Sequence, residues 1–169
     1  MKLGNQNWEK HISRIAFFAV LMFLSSLLIS CDKNRVFEEY RSIPDNQWNA
    51  ANKVSFRVNI ADTVTPQNIY ILLRNTGSYP YSNLFLFLTT RLPDGTFSKD
   101  TVECTLAKPD GTWLGEGLGD LWDNKFLFKR NFKFPHSGTW QFEYIQAMRI
   151  SPLPCIADVG LRIENAVQK

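Results

Sequence analysis

"VSFRVNI", residues 54–60, alternates Val54, Phe56, Val58 and Ile60 with Ser55, Arg57 and Asn59. Successive side chains of an extended strand point to opposite faces, so this period of two predicts a half-buried β-strand. Working outward, "NIYILLRN" at 68–75 and "NLFLFLTTR" at 83–91 are apolar, aromatic and rich in β formers, and the turn-like "TGSYPYS" separates them. Two more strands follow. "LPDGTF" at 92–97 is a turn with a mechanism, because Pro presets one dihedral and Gly accepts positive φ. "KPDGTW" at 108–113 repeats that chemistry after "DTVECTLA".

The stretch "GTWLGEGLGDLWDNK", 111–125, breaks the period with four glycines and two tryptophans and reads as a long loop or bulged edge. Beyond it, "KFLFKRNFKF" at 125–134 alternates imperfectly. "GTWQFEYIQA" at 138–147 sets Trp140, Phe142 and Tyr144 opposite Gln141, Glu143 and Ile145, and "IADVGLRIEN" at 156–165 supplies a last strand. About eight short strands with near-regular turns, and no long period of 3.6, predict an all-β fold: an antiparallel β-sandwich or jelly-roll-like barrel.

Upstream the chain changes character. Ile15 to Ile29 is an uncharged apolar run preceded by Lys2, Lys10, His11 and Arg14, the layout of a secretory signal. It falls short of the roughly 20 apolar residues a spanning helix needs. Leu28-Ile29-Ser30-Cys31 resembles a bacterial lipobox, in which the cysteine thiol receives a diacylglyceryl group and the chain is cut before it. The expected organisation is therefore a lipoprotein signal peptide at 1–30, a lipidated tether and lead-in segment at 31–52 that pins Phe37, Tyr40 or Trp48, and a sandwich at 53–169. Cleavage leaves 139 of the 169 residues, enough for one domain with one core.

The mature chain holds sixteen Lys plus Arg against fifteen Asp plus Glu, since the signal segment removes three and one. No basic run exceeds Lys129-Arg130, which gives no footprint for nucleic acid. Cys104 and Cys155 are candidates for a disulfide in an oxidising compartment, or for packed thiols. His136 is the only histidine left after cleavage, so a zinc site of the usual kind lacks ligands. No G-x-S-x-G elbow is present. Asp110, Glu116, Asp120 and Asp123 match no calcium loop and bracket no evident glycosidase pair, and Gly115, Gly117 and Gly119 fit no nucleotide fingerprint. No metal or cofactor is expected. Tyr79, Tyr81, Trp113 and Trp122 remain as candidate contacts for a sugar or a partner, with Asn83, Arg74 and Asn75 as polar handles, or as caps on the open end of a sandwich.

Five segments in this order, "CDKNRVFEEY" after the lipobox, "YPYSNLFLFL", "LAKPDGTWLGEGLGDLWDNKFLFK", "FPHSGTWQFEYIQAMR" and "IADVGLRIEN", resemble the GldH family of gliding-motility-associated lipoproteins of Bacteroidota. The resemblance implies a small, non-enzymatic lipoprotein of the cell envelope, on the outer membrane or the periplasmic side. It is held by a lipid on Cys31 and works beside other envelope, gliding or secretion proteins. It implies no reaction, no cofactor and no functional residue besides Cys31. The family pattern carries glycine where this chain has Cys155, which sets a Cys104 to Cys155 bridge apart from the family. A glycan-binding envelope module is the alternative.

Overall fold

The computed structural model describes His11, Arg14 and residues 32–166; Cys31 and the signal segment lie outside the described residues. Among the described residues the chain forms eleven strands: β1 (Arg35–Ser42), β2 (Gln47–Trp48), β3 (Val54–Ile60), β4 (Gln67–Thr76), β5 (Asn83–Arg91), β6 (Phe97–Thr105), β7 (Glu116–Leu118), β8 (Leu121–Phe132), β9 (Gly138–Gln146), β10 (Leu153–Pro154) and β11 (Ile156–Asn165). They build a five-stranded sheet in the order β1-β11-β4-β8-β7, a four-stranded sheet in the order β3-β9-β5-β6, and the small pair β10-β2. Every pairing is antiparallel, and the molecule is the expected all-β sandwich.

Alternation builds the core. Phe56, Val58 and Ile60 of β3, Leu84, Leu86 and Leu88 of β5, and Trp140, Phe142 and Tyr144 of β9 project inward from one sheet. Ile69, Ile71 and Leu73 of β4 meet them with Val159, Leu161 and Ile163 of β11. Removing so many apolar side chains from water is the main stabilising term, at about 25 cal/mol per Å². Rings then lock one end: Phe134 packs edge-on against Trp140 at 5.0 Å and Phe132 edge-on against Phe134 at 5.0 Å.

Two segments differ from the sequence expectation. Residues 31–52 were expected as tether and lead-in, with the domain starting at 53, yet Arg35–Ser42 is a full edge strand along β11, from Arg35 opposite Glu164 to Ser42 opposite Asp158. Of the residues expected to pin this segment, Trp48 is buried and its indole donates to the Asn52 carbonyl at 2.9 Å. The second segment, 111–125, was expected as a loop or bulged edge. It holds the β7–β8 hairpin, closed by Gly119 and Asp120, and Gly119 takes a φ of +65° there. A two-residue hairpin needs positive φ at its first central position, which glycine supplies without strain.

Outside the core, two devices hold strands in register. Gly160 of β11 lets Tyr40 and Leu72 close over the backbone: a Cβ there would lie 2.9 Å from the Glu39 carbonyl oxygen, 2.9 Å from the Tyr40 ring and 3.0 Å from Leu72. On the outer face of the four-stranded sheet, Glu143 accepts from Lys53 at 2.8 Å, from Arg91 at 3.3 Å and from Gln141 at 3.2 Å, linking β9 to β5 and to the approach of β3. The Lys53 hydrogen bond, helped by the charges of Lys53 and Arg91, holds the Glu143 carboxyl below the usual carboxylate range.

Gly160→Ala should lower the unfolding free energy by about 1–3 kcal/mol, read as a drop in urea midpoint at unchanged slope, because the added methyl meets backbone and two packed side chains. A depressed folded pKa means that Glu143 contributes above its unfolded value of about 4.3 and that the contribution is lost as pH falls through the folded value. Glu143→Gln should therefore destabilise by about 1 kcal/mol at neutral pH, its partners being half in water, and the two chains should converge in acid. A constant gap from neutral pH down into acid would exclude the ion-pair explanation.

Candidate functional site

Antiparallel topology sorts the connections to two ends of the sandwich. One end carries the β3–β4 loop at 61–66, the β5–β6 turn at 92–96, the β8–β9 loop at 133–137 and the start of β1. The other carries the β4–β5 loop at 77–82, the β6–β7 loop at 106–115, the β7–β8 turn and residues 147–155. Tyr79, Tyr81, Asn83, Trp113 and Trp122 all fall at this second end.

Local chemistry fixes each of them differently. Tyr79 is buried and its hydroxyl donates to the Asn83 carbonyl at 3.0 Å, closing the β4–β5 loop; burial pushes its phenol pKa up. Tyr81 stands edge-on to it at 5.6 Å and 75° and is the exposed ring of the pair. Asn83 donates from its side chain to Glu103 at 2.7 Å, across β5 and β6. Trp122 lies in β8 opposite Gly117, where a Cβ would come within 2.8 Å of its ring, so the glycine makes the bed for the indole. Trp113 packs beside it at 6.3 Å and 34°, and both are half-buried. One pair is therefore edge-on and the other tilted, both at the same end of the sandwich. Arg74 and Asn75 do not join them. Arg74 is paired with Asp123 and, at 3.5 Å, with Asp158, over the Tyr40 ring, while Asn75 is buried and accepts from Asn124 at 3.0 Å.

Three of the four acids of the glycine-rich stretch have structural partners, and Glu116 lines a surface depression. Asp110 accepts from the Thr112 amide, Asp120 from the Gly77 amide and Asp123 from Arg74. His136 is exposed, and its carbonyl accepts from the Trp140 indole at 3.0 Å. Among the described residues no group of three or more His, Cys, Asp or Glu could hold a metal ion. A depression of about 580 Å³ opens on the outer face of the five-stranded sheet. Of its carboxylates, Glu38 is engaged by Arg162 and Asp123 by Arg74.

Cys104 and Cys155, the expected disulfide candidates, are unbridged thiols. Cys104 is fully buried in β6, and burial pushes its pKa up to about 12, so it packs as a small apolar group. Cys155 sits between β10 and β11 at a φ of +65°, a conformation that suits glycine.

What the sequence analysis missed at this end is apolar exposure. Leu114 is 50% exposed, Leu121 39% and Ile150 37%, and they stand at the same end as Tyr81, the expected contact, at 36%. The Gly77 amide donates to the Asp120 backbone carbonyl at 2.9 Å, tying the loop that carries Tyr81 to the turn beside Leu121. The signal was weak, because single leucines in glycine-rich sequence carry no period.

Among known proteins, the profile described as GldH lipoprotein matches residues 35–163, from the first residue of β1 into β11. A gliding motility lipoprotein GldH homolog of Christiangramia forsetii is 39% identical over 158 residues, covering 88% of this chain and 96% of that one. Gliding motility lipoprotein GldH of Flavobacterium johnsoniae is 36% identical over 159 residues, covering 90% and 98%. Solved structures overlap more loosely: a GH115 4-O-methyl-α-glucuronidase at TM-score 0.43 and 7% identity, covering 82% of this chain and 18% of that one, and a cellulose-specific carbohydrate-binding module, CBM28, at TM-score 0.40 and 7% identity, covering 76% and 70%. Neither overlap is close enough to transfer a site. With a profile that spans the whole sandwich and two full-length relatives above one-third identity, the chain belongs to the GldH lipoprotein family.

Proposed function

We propose that this chain is a non-enzymatic component or assembly factor of the gliding machinery, held on an envelope membrane by lipid on Cys31 and engaging other envelope proteins through one end of its sandwich. Membership of the GldH family supports the envelope and lipoprotein parts of this reading. Among the described residues no helix is long and apolar enough to cross a membrane, and lipidation supplies attachment of a different kind, at about 0.8 kcal/mol per buried CH₂. The observation that carries the partner half is the exposed group Tyr81, Leu114, Leu121 and Ile150 at that end. Aromatic side chains are enriched at protein interfaces, and exposed apolar surface rimmed by polar residues suits one. Asp110, Asp120 and Asp123 around them are engaged in turns and an ion pair, which suits a binding surface better than a hydrolytic one.

The test is an affinity pull-down from cross-linked cells, with a tag after Lys169 and mass-spectrometric reading. The wild-type chain should recover a defined set of envelope proteins from the membrane fraction. Cys31→Ala should leave that fraction and lose the set. Tyr81→Ala with Leu114→Ser should stay lipidated and folded yet lose most of it. Recovery of glycan with no protein above background would replace this reading with the carbohydrate-binding one.

A further inference from the structure

The chain joins the fold at one end of the sandwich, three residues after Cys31 in the sequence. Arg35 opens β1 opposite Glu164, and one residue earlier the Asn34 carbonyl accepts the Asn165 amide at 2.8 Å, so the chain is already fixed to the sheet at Asn34. Three residue steps then separate Cys31 from the fold, which at full extension reach about 11 Å. The eight residues of β1 span about 27 Å in the opposite direction, at about 3.4 Å each. A tether of that reach cannot pass round a body of that height.

The surface at this near end has a matching composition. Val64, on the β3–β4 loop, is 75% exposed, and Phe97, at the start of β6, is 54% exposed. Phe97 stands between the Arg91 guanidinium, 5.1 Å from its ring, and the Lys99 ammonium, 5.7 Å from it. Arg130 and Lys133 on the β8–β9 side are exposed, and neither enters an ion pair among the described residues. Four acids also lie at this end: Asp62 accepts from the Val64 and Thr65 amides, Asp94 from the Thr96 amide, Asp100 pairs with Lys129 and Glu164 with Lys125. Apolar tips with exposed cations at the same end are what the headgroup region of a bilayer accepts.

We infer that the end of the sandwich bearing Val64, Phe97, Arg130 and Lys133 rests on the phospholipid headgroups, with the Tyr81 and Leu114 end turned away from the membrane. This rests on lipidation of Cys31. The lipid and the basic, apolar tips then act as two signals that together fix orientation as well as attachment, where one would leave the domain free to roll.

Photo-cross-linking reads this directly. p-Benzoylphenylalanine is placed singly at Val64, Phe97, Tyr81 or Ile150 in the full chain, reconstituted in vesicles of phosphatidylethanolamine and phosphatidylglycerol, and adducts are identified by mass spectrometry. The same spectra show whether Cys31 carries diacylglycerol. Phospholipid adducts at positions 64 and 97 and none at 81 and 150 are expected, and Arg130→Glu with Lys133→Glu should reduce the former severalfold. Adducts at 81 or 150, or at no position while Cys31 is acylated, would overturn the orientation and leave the anchor intact. An unmodified Cys31 would overturn the anchor and the orientation with it.

Discussion

The pairing of β1 with β11 is the constraint on which the rest of this molecule depends. It gives the five-stranded sheet one of its two edges, covers the strand that carries Val159, Leu161 and Ile163 into the core, and begins at Arg35. A chain whose first strand starts so soon after Cys31 leaves almost no spacer. In the proposed reading, with lipid on Cys31, hydrogen bonds of the fold restrict the domain more than the short tether frees it.

Strands with strong alternation were legible in the sequence, and they are the ones that face the core on one side only. β3 and β9 show it plainly: Phe56 and Val58 pair with Phe142 and Trp140 across the inner face, while Arg57 and Gln141 pair on the outer. β1 hid because it is an edge. Beyond Phe37 its inward positions are Glu39 and Arg41, which form an ion pair at the open side of the sandwich near β3, so the pattern of a strand is written in charges. The β7–β8 hairpin hid for a different reason. Gly117 is a strand residue chosen for the space it leaves under Trp122, and glycine carries no strand preference of its own.

The candidate residues were legible in type and in rough place, less so in state. Tyr79, Tyr81, Trp113 and Trp122 do gather at one end, as loop-borne aromatics on a sandwich must. Which of them meets solvent depends on contacts distant in sequence: Tyr79 turns inward to the Asn83 carbonyl, Trp122 lies on Gly117, and Tyr81 is left outside. Arg74 and Asn75 looked like handles because they precede the loop, yet strand alternation sends one to the outer face and the other into the core. Sequence proximity to a turn does not decide the side of a sheet.

The proposed division of the molecule into a lipid-facing and a partner-facing end rests on whether β1 is as much part of the fold as β11. Native-state hydrogen exchange of the lipidated chain tests this most directly, read at the β1 amides that point toward β11. Protection close to that of the core strands is predicted, with exchange only through global unfolding. Fast exchange across Arg35–Ser42 while β4 and β11 stay protected would make the segment a flexible tether and contradict the account.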